Sequence, residues 1–172
     1  MQLTKIERLM LSNQFRILAK LYPDEAKAFE NYRKVVEEGF TLDYSRLSKH
    51  IEEEVPESTC EYVLDVLELF SDLKFAYKDL KDKSGIEEHS ISFRGFDGNN
   101  ETVMMSYAIY YVKDLGKFSG FESIDFNSHM PTTGIYSQML DAWRPIKEKT
   151  LSESRKLSKE EILEIIKTKK AA

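Results

Sequence analysis

The chain is poor in the residues that most directly announce chemistry: one cysteine, one tryptophan and three histidines among 172 residues. Cys60 has no second cysteine with which to close an internal disulfide or begin a thiolate metal cluster. His50, His89 and His129 are spaced too widely for a zinc signature. The expectation is therefore no metal and no cofactor. Long hydrophobic runs are missing too. The longest uncharged apolar-rich stretch, residues 103–112, is half of the roughly 20 residues a membrane helix needs. Met1-Gln2-Leu3-Thr4-Lys5 enters a charged amphipathic pattern without a secretory apolar core. We expect a cytoplasmic protein with no membrane partner.

An excess of positive charge is also lacking. With 25 basic and 30 acidic residues the formal net charge is -5, which gives no global attraction to nucleic acid or anionic lipid. No internal repeat, low-complexity tract or long linker divides the chain, so it reads as a single domain over 1–172, with possible lobes at 1–40, a helical hairpin, and 41–172, a helical body. Nucleophile elbow, phosphate loop and dinucleotide fingerprint are all absent, which weighs against an enzyme without excluding one.

What is present is helical periodicity. Thr4 precedes Glu7, Ser58 precedes Glu61 and Ser158 precedes Glu161, each at capping-box spacing. Seven helices are expected, over 4–20, 24–38, 44–53, 57–82, 100–115, 132–147 and 158–168, punctuated by Pro23, Gly39, Pro56, Gly116 and Pro131. The fold class is all-α (mainly α): a compact multi-helix domain of about seven helices, with an N-terminal hairpin and at most a short extended segment near 90–96. Two irregular stretches, 84–99 and 117–130, are where a site is sought first. The phenylalanines of the second are expected to pin it to the helical body.

Several residues stand out. Asn13 and Gln14 fall inside the apolar sector of the first helix, where a buried amide needs a partner, either a loop backbone or a ligand. Arg94 and Asp97 flank Gly95 in a turn and can clamp an anion or each other. His129 is a general-base candidate if Asp97 or Asp125 orients it. Trp143 reads as a core anchor with its indole N–H satisfied nearby, with ligand stacking as the lesser alternative. Glu61, Asp65, Glu68 and Asp72 form an acidic stripe on the fourth expected helix, read as solvated. The helix at 100–115 is apolar all round, hence central in the core or covered by another subunit.

The run Arg8-Leu9-Met10-Leu11-Ser12-Asn13-Gln14-Phe15, the turn Phe93-Arg94-Gly95-Phe96-Asp97, the stretch Phe126-Asn127-Ser128-His129-Met130-Pro131 leading to Tyr136 and Met139-Leu140-Asp141-Ala142-Trp143, and the close Leu157-Ser158 resemble the bacterial YfbU family over essentially the whole chain. The resemblance implies a cytoplasmic, predominantly helical bacterial protein and brings no reaction or active-site residues with it. Relatives often carry a basic residue just before the Met-Leu pair, where this chain has Gln138, so a mechanism needing a cation there is in doubt.

Three functions compete. The favoured one is a non-catalytic regulatory or adaptor protein, a homo-oligomer contacting an unknown protein partner. The second is a helix-turn-helix-like nucleic-acid regulator built on residues 44–51 and the helix from Ser58, against which the acidic stripe weighs. The third is a small-ligand binder or enzyme with a pocket near Asn13, Gln14, Arg94, Asp97, His129 and Trp143.

Overall fold

The structure, a computed structural model, describes residues 2–167 and is mainly α-helical. Six α-helices occur among the described residues: α1 (Lys5–Leu21), α2 (Ala26–Glu38), α3 (Glu57–Asp79), α4 (Thr102–Ile109), α5 (Thr133–Ser152) and α6 (Lys159–Lys167). Short 3-10 turns at Pro23–Glu25, Thr41–Leu47 and Glu88–Ser90, and a π-helical turn at Tyr110–Asp114, complete the elements. The chain divides into two compact units, Met1–Glu54 and Val55–Ala172. No helix among the described residues is long and apolar enough to cross a membrane.

The first unit is a helical hairpin. Thr4 and Glu7 form the reciprocal cap that starts α1: Thr4 Oγ1 accepts from Glu7 N at 3.2 Å while the Glu7 carboxylate accepts from Thr4 N at 2.7 Å. Pro23 opens the tight turn into α2, and Gly39, at φ +73°, closes it in the left-handed conformation that glycine adopts cheaply. Arg8 secures the seam, donating from Nε to Val36 O at 2.5 Å and from Nη2 to Glu37 O at 2.6 Å, so a cation satisfies the last carbonyls of α2. Buried Ser12 donates to Glu37 Oε1 at 2.7 Å, and Phe15 meets Tyr32 with ring centroids 5.6 Å apart.

The helix expected over 44–53 does not form. Only the Thr41–Leu47 turn is ordered as 3-10, and residues 48–56 are irregular. Tyr44 is the one buried side chain there, while Leu42 and Ile51 face solvent, so a regular helix has too little apolar contact to offset its ordering. The helix-turn-helix reading loses its first helix.

The second unit is organised around α3, whose Val63, Val66, Leu67, Leu69, Phe70, Leu73 and Ala76 are buried over a wide arc. Of the two alternatives for the 100–115 helix, central in the core or covered by another subunit, the first is corrected: of α4 and its π turn, only Ala108 and Val112 are buried. Pro56 starts α3, leaving Ser58 inside the first turn rather than capping it. Ser158 and Glu161 do form their reciprocal cap on α6. Phe93 centres an aromatic cluster with Phe70, Phe96, Phe121, Phe126 and Tyr136, ring centroids lying 5.1 to 6.2 Å apart. Both irregular loops are thereby stitched to the helices.

In place of an extended segment at 90–96 there is a single parallel bridge, Phe96 to Asn127, and no strand among the described residues. α5 runs through exposed Pro145 to Ser152, beyond its expected end. Thr168, the last residue of the expected final helix, lies outside the described residues.

Replacing Arg8 with alanine is expected to cost the first unit roughly 1.5–3 kcal/mol, the worth of hydrogen bonds to a charged donor. Amide hydrogen exchange checks this: protection should fall at the last turn of α2 and stay unchanged along α3.

Candidate functional site

The two loops meet in a polar knot at the start of α4 and α5. Gly95, at φ +84°, lets them touch, because a Cβ there would sit 2.0 Å from Phe126 O. Phe96 N donates to Phe126 O at 2.9 Å and Ser128 N to Phe96 O at 3.1 Å. Tyr136, buried on α5, donates its hydroxyl to Gly95 O at 3.0 Å and accepts from Arg94 N at 3.2 Å, and burial pushes its phenol well above the usual range.

Glu101 is the hub. One carboxylate oxygen accepts from Thr132 N at 2.9 Å and Thr133 N at 2.8 Å; the other accepts from Asp97 N and Thr132 Oγ1, both at 2.9 Å. Thr132 makes no side-chain cap of its own for α5, so this remote carboxylate takes up two of the free N–H groups of that helix start, Thr132 and Thr133, and opposes its positive dipole end. Burial alone would raise the Glu101 carboxyl, but the bonds from Asp97, Thr133 and Thr132 outweigh it and hold the group below the usual carboxylate range.

Four of the six expected site residues, Arg94, Asp97, His129 and Trp143, belong to the second unit. Arg94, Asp97 and His129 lie on the paired loops. Asp97 is buried and spends its carboxylate on Asn99 N and Asn100 Nδ2. No ion pair joins it to Arg94 among the described residues, and the Arg94 side chain is exposed, so the turn is held by amide donors rather than by its own salt bridge. His129 is exposed, with Nε2 3.8 Å from Asp125 Oδ2, and its backbone N–H bonds Asn127 Oδ1 at 2.9 Å. Asn13 and Gln14 belong to the first unit and are exposed, which corrects the expectation of buried amides.

Trp143 directs its indole N–H to Asp72 Oδ2 on α3 at 3.1 Å. That bond exposes a second correction: most of the acidic stripe is not left to solvent. Asp65 pairs with Arg144 at 2.9 Å and Glu68 with Lys147 at 2.7 Å, so the stripe and α5 form a charged seam, with Glu61 alone exposed. Lys147 also sits over the Trp143 ring, 4.5 Å from its centroid. A cleft of about 190 Å³ opens beside Asp72, walled by Lys147, Thr150, Arg155 and Leu157. Burial pushes the Asp72 carboxyl up against the lowering bond from Trp143. No group of three or more His, Cys, Asp or Glu positioned for a metal occurs among the described residues.

Sequence reasoning passed over Glu101 and Lys147, and met Tyr136 only as one of the residues that carry the resemblance. Glu101 carried one readable signal, its place four residues after Asp97 at a helix start, but the helix it caps most fully lies 31 residues away. Lys147 was legible only as the partner of Glu68 across two helices.

Glu101→Gln places an NH2 group among backbone donors and should destabilise the second unit by about 2–4 kcal/mol, read by Trp143 fluorescence in urea. The acid limb follows from depressed carboxyls. Glu161, lowered to about 2 chiefly by its fork with Arg155, and Glu101 both contribute stability that is full above the unfolded value of about 4.3. That stability drains as pH falls through their folded values; unfolding midpoints measured from pH 6 to 2 should decline with it. Asp72 has the opposite sign, since a raised folded carboxyl favours the protonated form and loses stability as pH rises. Asp72→Asn, whose amide oxygen still accepts from Trp143, should raise stability at neutral pH by about 0.5 kcal/mol, given solvent screening, with the gain vanishing on acidification.

A family model, the YfbU domain, matches residues 1–168. The chain is also 35% identical over 171 residues to the UPF0304 protein MJECS11 of Methanocaldococcus jannaschii, an alignment covering 95% of this chain and 98% of that relative. Both matches run over nearly the whole chain, and the chain belongs to the YfbU family.

Proposed function

We propose that this protein is a non-catalytic regulator or adaptor that works through protein–protein contacts and self-association. The observation that carries the reading is the exposure of α4 and its π turn. Val103, Tyr110 and Leu115 are exposed and Met104, Met105, Tyr107 and Tyr111 only partly covered, along a segment with no charge between Thr102 and Val112. Tyr107, Tyr110 and Tyr111 stack with ring centroids 5.1 to 6.2 Å apart. A tyrosine- and methionine-rich surface of this kind matches the composition of protein interfaces, where large amphipathic rings contribute contact area at small entropic cost.

The polar groups nearest the family's most recognisable residues support the same reading. Asp97 and Glu101 spend their oxygens on neighbouring protein donors, which leaves little for a substrate. Affinity purification at native expression level, with the wild-type chain and a Val103→Glu/Tyr110→Glu variant as baits, tests the proposal. Loss of captured protein from the variant, with unchanged Trp143 fluorescence, is the expected result. Retention of every captured protein by the variant would remove the α4 face from the account.

A further inference from the structure

We propose that the outward face of α1 is a homodimer seam, on which a second copy of this chain packs its own α1 in parallel and in register. The inference deepens the self-association part of the proposed function and shares only that premise with it, because the surface is a different one.

The hairpin uses one side of α1. Arg8, Ser12, Phe15, Leu18 and Ala19 turn toward α2, whereas Ile6, Leu9, Met10, Ile17 and Leu21 are each 56% to 72% exposed. Ile6, Met10, Asn13, Ile17 and Lys20 follow one another at alternating intervals of four and three, the spacing that keeps a single seam facing a partner helix. A 17-residue helix is about 25 Å long, enough for two turns of knobs on each side of Asn13. The exposed side chains present on the order of 600 Å² per copy, so pairing removes roughly 1,200 Å² from water, the lower bound for a specific interface. Closing two hairpins on each other in this way makes a four-helix arrangement with α2 of each copy outside.

Asn13 selects both occupant and orientation. It has no side-chain partner among the described residues and stands in the middle of an otherwise apolar stripe. An amide carries donor and acceptor together, so across an in-register two-fold axis Asn13 meets Asn13 of the second copy and each satisfies the other. Antiparallel layering at the same spacing sets Asn13 against Met10 and leaves both amides unpaired in a dry layer, which is costly. No acid stands among the five seam positions, and the single base, Lys20, is at the very end, where its ammonium can reach water.

The test uses the full chain. Light scattering at micromolar concentration should give a dimer for the wild type, and Ile6→Glu/Ile17→Glu should weaken it by at least about 100-fold while leaving Trp143 fluorescence unchanged. In a Cys60→Ser background, Ile6→Cys should close an intermolecular disulfide under mild oxidation, because in-register pairing brings the two positions within bonding range. Antiparallel pairing would hold them about 16 Å apart. Asn13→Leu should tighten association and admit species larger than a dimer, as removal of a buried seam amide does. A dimer that survives the α1 charges but falls apart on Tyr110→Glu would overturn this proposal and leave self-association through α4 standing. A wild-type monomer, whose stripe is covered by another protein or by other parts of its own chain, would overturn both. Cross-linking of Ile6→Cys only to Ile17→Cys would overturn the parallel register.

Discussion

The second unit depends on a single carboxylate that fastens the loop before α4 to the start of α5. Glu101 is the cap residue of α4 and, through space, the anion at the start of α5. Each helix start leaves backbone N–H groups without intrahelical partners, and burying them unpaired is costly. Two such starts converge here because the loops that precede them are bridged, Phe96 to Asn127. A carboxylate accepts from several donors at once, and that of Glu101 takes Thr132 N and Thr133 N of the α5 start together with Asp97 N of the loop before α4. The depressed ionisation of Glu101 expresses the same fact, since the bonds that hold the negative charge outweigh its burial.

From this hub the roles of the family's recognisable residues follow. Gly95 is needed because Phe126 O occupies the space its side chain would take, and Gly95 O in turn receives the hydroxyl of Tyr136. Asn127 accepts from Gly98 N and His129 N, fastening the second loop to the first turn of the first. The aromatic cluster beneath seals the knot from water, strengthening each bond by lowering the local dielectric. Residues that look like a site in the sequence are thus an architectural joint.

How much of this was legible depended on the range of the interaction. Caps at Thr4–Glu7 and Ser158–Glu161 lie three residues apart and could be read directly, as could the α1–α2 hairpin around Pro23 and Gly39. Helix period located α3 and α5, and the indole partner expected for Trp143 exists as Asp72. What periodicity could not give is which side of a helix is the inside. Asn13 and Gln14 were correctly placed in an apolar sector, but the sector turned outward because a second face, with Phe15 and Leu18, packs on α2. The acidic stripe failed for the complementary reason: Arg144 and Lys147, its partners, are nearly 80 residues away and invisible to local pattern.

The two polar centres of the second unit differ in a way that bears on where binding energy is available. Glu101 is saturated: its acceptor sites are filled by protein donors, so a ligand would have to displace bonds already made at no conformational cost. Asp72 is held by one bond from Trp143, and its burial is incompletely compensated, which is why its carboxyl rises while that of Glu101 falls. Replacing a saturated centre only loses energy; relieving a strained one gains it, which is the usual relation between an architectural group and one retained for another purpose. On that argument the knot is architecture, the polar group with bonding capacity left over is Asp72 beside its cleft, and the apolar side chains without cover are those on α1 and α4.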